Sequence, residues 1–222
     1  MKRKSTELVF ILDKSGSMAG LEKDTIGGFN SMLEKQKTVD GECRITTVLF
    51  DNGFELLHDR IEIQAVSSLT ENEYYVGGST ALLDAVGKTI RKIDNALKHT
   101  EQAFRAARVI FVIITDGEEN SSREYSDILI RKMIEDQKTQ CGWEFVFLGA
   151  NIDAVQSASR FGISEDRAQS FVADSKGVEL NFRVMNDAVT SYREHEVILG
   201  DWNKAIQKDY RKRGGTAKGR MI

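Results

Sequence analysis

Residues 8–17 read Leu8-Val9-Phe10-Ile11-Leu12-Asp13-Lys14-Ser15-Gly16-Ser17. The five leading residues are all apolar, and two are β-branched. Such a run suits a strand covered on both faces, as strands of parallel sheets are. The run ends in an acid, and hydroxyl residues follow at every second position. Ligands of open α/β sheets bind beyond the carboxyl ends of the strands. Asp13, Ser15 and Ser17 stand at such an end, and Gly16 lets the backbone fold tightly between the two serines.

The rest of the chain repeats the theme. Residues 109–114 and 145–148 are further continuous apolar runs, and 44–50 alternate more but also read as a strand. Asp51-Asn52-Gly53 is a tight-turn signature, which makes 54–63 an antiparallel hairpin partner at a sheet edge. A short final strand is expected at 169–173. Between these runs, apolar residues recur at helical spacing over about 20–37, 81–98 and 124–138, and shorter helices fit 153–161 and 176–193. Strand–helix alternation predicts an α/β fold with a mostly parallel sheet and helices on both faces.

Composition narrows the function classes. The chain has 222 residues, 41% hydrophobic and 29% charged, with a formal net charge of -3. That balance is ordinary for a globular domain and gives no general attraction to nucleic acid or membrane. No apolar run approaches the roughly 20 residues of a membrane-spanning helix. The apolar run after the basic N-terminus is too short for a signal-peptide core, so the expected setting is the cytoplasm. Two cysteines, Cys43 and Cys141, are too few for a disulfide scaffold. Residues 1–210 read as one domain. Residues 211–222 carry a run of basic residues without apolar periodicity and read as a disordered tail, solvated or weakly anion-binding.

Two further segments join the first. Asp116 follows the run 109–114 and Thr115 at a second strand end, with Gly117 next. Gly77-Gly78-Ser79-Thr80 opens directly onto the helix expected at 81–98. Together they offer two carboxylates and three hydroxyls, without His or Cys. All-oxygen sets suit hard cations and disfavour thiolate-seeking metals. Mg²⁺ or Mn²⁺ is therefore expected ahead of Ca²⁺ or zinc. Mg²⁺ takes about six oxygens and keeps some waters, so five side chains leave a position open. Two carboxylates balance one divalent charge. If they act through water, the cation stays electrophilic and a partner's carboxylate becomes a favourable ligand.

The set Asp13-x-Ser15-x-Ser17, Thr80 and Asp116 resembles the metal-ion-dependent adhesion site of von Willebrand factor A domains. All five positions match that family's pattern in order, and the resemblance covers about residues 5–195. It implies a three-layer, doubly wound, mostly parallel six-stranded sheet with one antiparallel edge strand and a metal at its top. It further implies metal-dependent binding of a protein that offers an acidic residue, and not turnover. The implied strand order, 3-2-1-4-5-6, puts Cys43 and Cys141 three strand spacings apart. That is about 14 Å, beyond disulfide reach, so both are expected as free thiols.

Other readings compete at single positions. Ser15 and Ser17 also suit the cap of the helix near residue 20, and Thr80 suits the N-cap of the next one. Asp116 also suits an Asp-Gly turn. Gly78, Ser79, Glu118 and Glu119 are candidates for a partner-binding rim, with a solvated acidic turn as the alternative for the two acids. Asp84 lies one helical turn beyond Thr80, suited either to orienting that loop or to structure. His58, His99 and His195 read as structural or surface residues, and Trp143 and Trp202 as packing residues. The rival activity is a phosphohydrolase of the haloacid dehalogenase type, which also puts Asp at the first strand end beside Mg²⁺. That chemistry requires D-x-D, and this chain has Ser15 at the second acid's place.

Overall fold

The computed structural model describes residues 5–214. Six strands form one sheet: β1 (Ser5–Asp13), β2 (Glu42–Phe50), β3 (Phe54–Glu62), β4 (Arg108–Thr115), β5 (Glu144–Ala150) and β6 (Ala168–Phe171). Six helices accompany them: α1 (Glu22–Lys37), α2 (Leu82–Lys98), α3 (Asp127–Cys141), α4 (Ala154–Arg160), α5 (Ser175–His195) and α6 (Lys204–Lys212). The strand order is β3-β2-β1-β4-β5-β6. Only β3 runs antiparallel, with Phe50 opposite Phe54 across the Asp51-Asn52-Gly53 turn.

Strand alternation sorts the core into two layers. Leu8, Phe10 and Leu12 face α1 and α5, where they meet Phe29, Met32, Phe182 and Met185. Val9 and Ile11 face the other way, toward Val86 and Ile90 of α2 and Ile130 and Ile134 of α3. Strand β4 is buried along its whole length, as its unbroken apolar run requires. Phe111 stacks on Phe145 and Trp143 at centroid distances of 4.8 and 5.5 Å.

The connections reverse direction between β1 and β4. From β1 the chain crosses to β2 by α1; from β4 it crosses to β5 by α3. The ends of β1 and β4 therefore flank the switch point where doubly wound sheets form their crevice. Leu12 is in register with Ile114, which puts Asp13 and Asp116 on the loops leaving two adjacent strands.

The two helices of the first face, α1 and α5, are tied together by a buried arginine. Arg193 of α5 is 2% exposed. It donates to the Gln36 carbonyl (2.6 Å), the Gln36 side-chain oxygen (3.0 Å), and the Val39 and Gly41 carbonyls (both 3.1 Å). These acceptors lie at the carboxyl end of α1, where helix carbonyls lack partners and a cation meets the negative end of the dipole. The Arg193 carbonyl in turn accepts from Arg108, which pairs with Glu196 at 2.6 Å.

Several expectations shift by one to three residues at their ends, and one α-helix is new. Helix α6 has Ile206 as its single buried residue, too few apolar residues to announce a helix. Its last turn includes Arg211 and Lys212, so the basic tail cannot begin at residue 211. Arg213 pairs with Asp209 and Asp174, and residues 215–222 lie outside the described part. Cys43 is buried and Cys141 exposed, both as free thiols. His58 is buried against Thr47, and Trp202 donates to the Asp166 carbonyl. Among the described residues, no helix is long and apolar enough to cross a membrane.

Replacing Arg193 removes four hydrogen bonds, two of them buried. Arg193→Ala is expected to cost about 3 kcal/mol of unfolding free energy in urea denaturation. Lysine, with a single donor centre, should restore less than half of that.

Candidate functional site

The five oxygen-bearing side chains come together at the top of β1 and β4. The Ser15 amide donates to Asp13 Oδ1 at 2.7 Å. The Ser15 and Ser17 hydroxyls are 3.0 Å apart, and Ser17 Oγ donates to Asp116 Oδ1 at 2.5 Å across 99 residues of sequence. A continuous chain of polar groups thus joins Asp13 to Asp116. Thr80 lies against the same spot. A Cβ built on Gly117 would lie 3.2 Å from Ser17 Oγ and 3.5 Å from Thr80 Oγ1, so the two hydroxyls flank that glycine.

Backbone hydrogen bonds sew the three loops together. Lys14 N donates to the Phe50 carbonyl (2.7 Å), Gly77 N to the Lys14 carbonyl (2.9 Å) and Gly16 N to the Gly78 carbonyl (3.1 Å). Gly78 adopts φ +71°, a region that favours glycine. A Cβ there would also lie 2.1 Å from the Asn52 side chain. The Tyr74 hydroxyl donates to the Asp13 carbonyl at 2.5 Å from within the core.

Both carboxylates are strained electrostatically. Asp13 and Asp116 are each 1% exposed. Burial pushes the Asp13 carboxyl above its ordinary range, against the pull of hydrogen bonds from Ser15 and Thr115. Burial also raises Asp116, opposed by the Ser17 hydrogen bond and reinforced by the charge of Asp13. Asp116 Oδ2 is buried without a hydrogen-bond partner. Unsatisfied buried oxygens are costly, and a cation is the partner that a carboxylate beside another carboxylate lacks. The set therefore fits a divalent ion. Among the described residues, no group of three or more His, Cys, Asp or Glu side chains comes together, so the hydroxyls are integral to this set.

Comparisons place this geometry in a known architecture. No family model and no curated protein matches the sequence. Solved structures do. A von Willebrand factor type A protein from Catenulispora acidiphila superposes with a TM-score of 0.56 at 16% identity, over 85% of this chain and 43% of its own. Proximal thread matrix protein 1 of the mussel byssus, with a zinc-occupied adhesion motif, gives 0.57 at 11% identity, over 86% and 47%. The manganese-loaded TRAP protein of Plasmodium vivax gives 0.56 at 14%, over 82% and 74%. The chain has the von Willebrand factor A fold. It spans less than half the length of the bacterial and mussel structures.

Within this A-type fold the competing roles can be assigned. The N-cap position of α2 is Ala81, with no side-chain cap, so the Thr80 hydroxyl does not serve the helix. That duty falls to the following loop: Glu119 accepts from Leu83 N (2.9 Å), and Ser122 Oγ from Asp84 N (3.0 Å). Ser15 and Ser17 make no side-chain cap either, since α1 begins after an uncapped Leu21. Asp84 accepts the amides of Arg123, Glu124 and Tyr125 at 2.9–3.0 Å, a structural use that fixes the loop beyond Asp116.

The rim divides. Gly78, Ser79 and Glu118 are exposed. Glu119 is not a free rim acid, because its carboxylate also accepts from the Ser121 and Ser122 amides and the Ser122 hydroxyl. Sequence reasoning passed over Thr115, whose hydroxyl donates to Asp13 Oδ2 at 2.5 Å; its place just before Asp116 was the available clue. The Lys14 ammonium pairs with Glu55 at 2.7 Å beneath the Tyr75 ring, 4.0 Å from its centroid.

A stability test follows from the raised carboxyls. Without a cation, both acids hold protons to higher pH in the folded chain than in the unfolded one. Their favourable contribution is present below the ordinary carboxylate pKa of about 4 and is lost as pH rises through the raised values. In chelator at pH 7, Asp116→Asn is expected to raise the unfolding free energy by about 1 kcal/mol, read by urea denaturation. A loss of that size would show that Asp116 is satisfied as it stands.

Proposed function

We propose that the chain is a metal-dependent protein-binding module. Asp13, Ser15, Ser17, Thr80 and Asp116 hold Mg²⁺ or Mn²⁺, and the cation meets an acidic side chain of a partner protein. The observation that carries this reading is the unpartnered, buried Asp116 Oδ2 at the end of the polar chain from Asp13.

The bound cation supplies a positive centre that accepts an outside carboxylate. The chain's own groups prepare the position. Thr115 and the Ser15 amide orient the Asp13 carboxylate, and Ser17 orients Asp116. The neutral hydroxyls add oxygen donors without cancelling further charge. The manganese of the Plasmodium protein and the zinc of the mussel protein support a divalent ion. The hard oxygen set favours Mg²⁺ and Mn²⁺ within that class. Binding is preferred to phosphoryl hydrolysis because Ser15 stands where a second acid would be needed, and because Glu55 and Tyr75 engage Lys14.

Isothermal titration with Mg²⁺, Mn²⁺ and Zn²⁺ tests the assignment. Wild type should bind Mg²⁺ and Mn²⁺, and Asp13→Ala should weaken both by about a hundredfold or more. Affinity should fall on acidification, starting above the ordinary carboxylate range, since protons compete for two acids whose pKa values are raised. Unchanged affinity in Asp13→Ala would put the metal elsewhere.

A further inference from the structure

Beside the five-residue site lies a second feature, a cleft of about 550 Å³. One wall is formed by Ser79 and Ala81, the neighbours of Thr80. The opposite wall is the 121–124 segment of the loop that begins at Asp116, and the Asn52-Gly53-Phe54 turn closes the third side. None of the five metal-site residues lines it. It therefore opens next to the position where a partner's acid would sit, on the side toward β3.

The charges in this cleft do not cancel as the residue types suggest. Asp84 and Glu124 are its acids, Lys88 and Arg123 its bases. Both Asp84 oxygens are committed to backbone amides. Glu124 is matched by Lys88 at 2.7 Å. Arg123 is the remainder: it is exposed, and among the described residues no ion pair engages its guanidinium. Its backbone is nonetheless fixed, because its amide donates to Asp84 Oδ2 at 3.0 Å. Two hydroxyls add to the donor side. Ser79 is exposed on the near wall, and Ser121 Oγ is buried with no hydrogen-bond partner. An anchored guanidinium with hydroxyls around it is a setting for a carboxylate, which arginine can bind through two parallel hydrogen bonds. The Phe54 ring, 5.9 Å from the Lys88 ammonium, offers an apolar wall for a side-chain stem.

We propose that this cleft receives a second acidic side chain of the partner, presented on the same segment as the acid that meets the cation, with Arg123 as its principal contact. The inference rests on the metal-dependent binding reading above and specifies the partner as a diacidic segment. Arg123 then sets specificity, and the cation sets the anchor.

Fluorescence polarisation of labelled peptides on the full chain tests it, in Mg²⁺ and in EDTA. The probes share a Gly/Ser backbone. One carries a single Asp, others carry Asp followed by Glu after one to four intervening residues, and matched controls replace that Glu by Lys. At least one diacidic spacing should bind about tenfold more tightly than the single-Asp peptide in Mg²⁺. Arg123→Glu should abolish that advantage and transfer it to the Lys control of the same spacing. Equal binding of single-acid and diacidic peptides by wild type, or a diacidic preference that survives in Arg123→Glu, overturns the cleft assignment and leaves metal-dependent binding standing. Absence of Mg²⁺-dependent binding by every peptide overturns both.

Discussion

Asp13 and Asp116 are held at the ends of adjacent central strands, and the sheet leaves neither an escape. Leu12 and Ile114 are locked in register, and both acids are almost fully buried. Both carboxylates lose hydration, which pushes both pKa values up, and the charge of Asp13 raises Asp116 further. The surrounding loops respond to that loss. Thr115, Ser17 and the Ser15 amide all point donors at the two acids. Donors run out before oxygens do, and Asp116 Oδ2 is the remainder. A site that is destabilised by itself and relieved by a cation couples folding of its loops to metal binding.

The rest of the fold keeps this arrangement rigid. Loop 14–16 is stitched by backbone bonds to the end of β2 and to the 77–78 segment, so the position of Thr80 depends on that of Ser15 and Ser17. Glu119 and Ser122 take over capping of α2, which leaves the Thr80 hydroxyl available at the site. On the other side of the helix end, Asp84 organises three consecutive amides. At the opposite edge of the molecule, Arg193 closes the end of α1 against α5. The loops that carry the five site residues thus hang from strands locked in register and from an α2 whose first amides are satisfied.

Much of this was legible in the sequence. Strands β1, β4 and β5 follow from apolar runs, because a doubly covered strand needs contiguous hydrophobic residues; β2 follows from alternation and β3 from the Asp51-Asn52-Gly53 turn before it. Asp13, Ser15, Ser17 and Asp116 stand out by spacing at strand ends, whereas Thr80 sits on a glycine loop before α2 and joins them only through the resemblance to the von Willebrand factor A pattern. What escaped was whatever depends on partners far apart in the chain. Nothing local marks Tyr74 as the donor to the Asp13 carbonyl, or Glu55 as the counter-ion of Lys14. Glu118-Glu119 looked like a uniform acidic rim, yet the fold consumes Glu119 and leaves Glu118 exposed. Helix α6 is nearly all polar and takes its place from Ile206 and tertiary packing, so a search for apolar residues passes over it.

The same accounting explains why the region beside the metal site differs in character from the site itself. The five residues form a surplus of acceptors: two acids, hydroxyls, and one oxygen without a donor. A few residues away, along the loops that hold Thr80 and Asp116, the balance reverses. Asp84 and Glu124 are spent on amides and on Lys88, and Arg123, Ser79 and Ser121 remain as a surplus of donors. The first surplus calls for a cation, and the second for an anion. On the reading proposed above, a partner that bridges them carries negative charge at both points, toward the cation and toward the guanidinium. Placing opposite demands side by side on rigid loops is how a single binding face selects for a spacing of charges as well as for their sign.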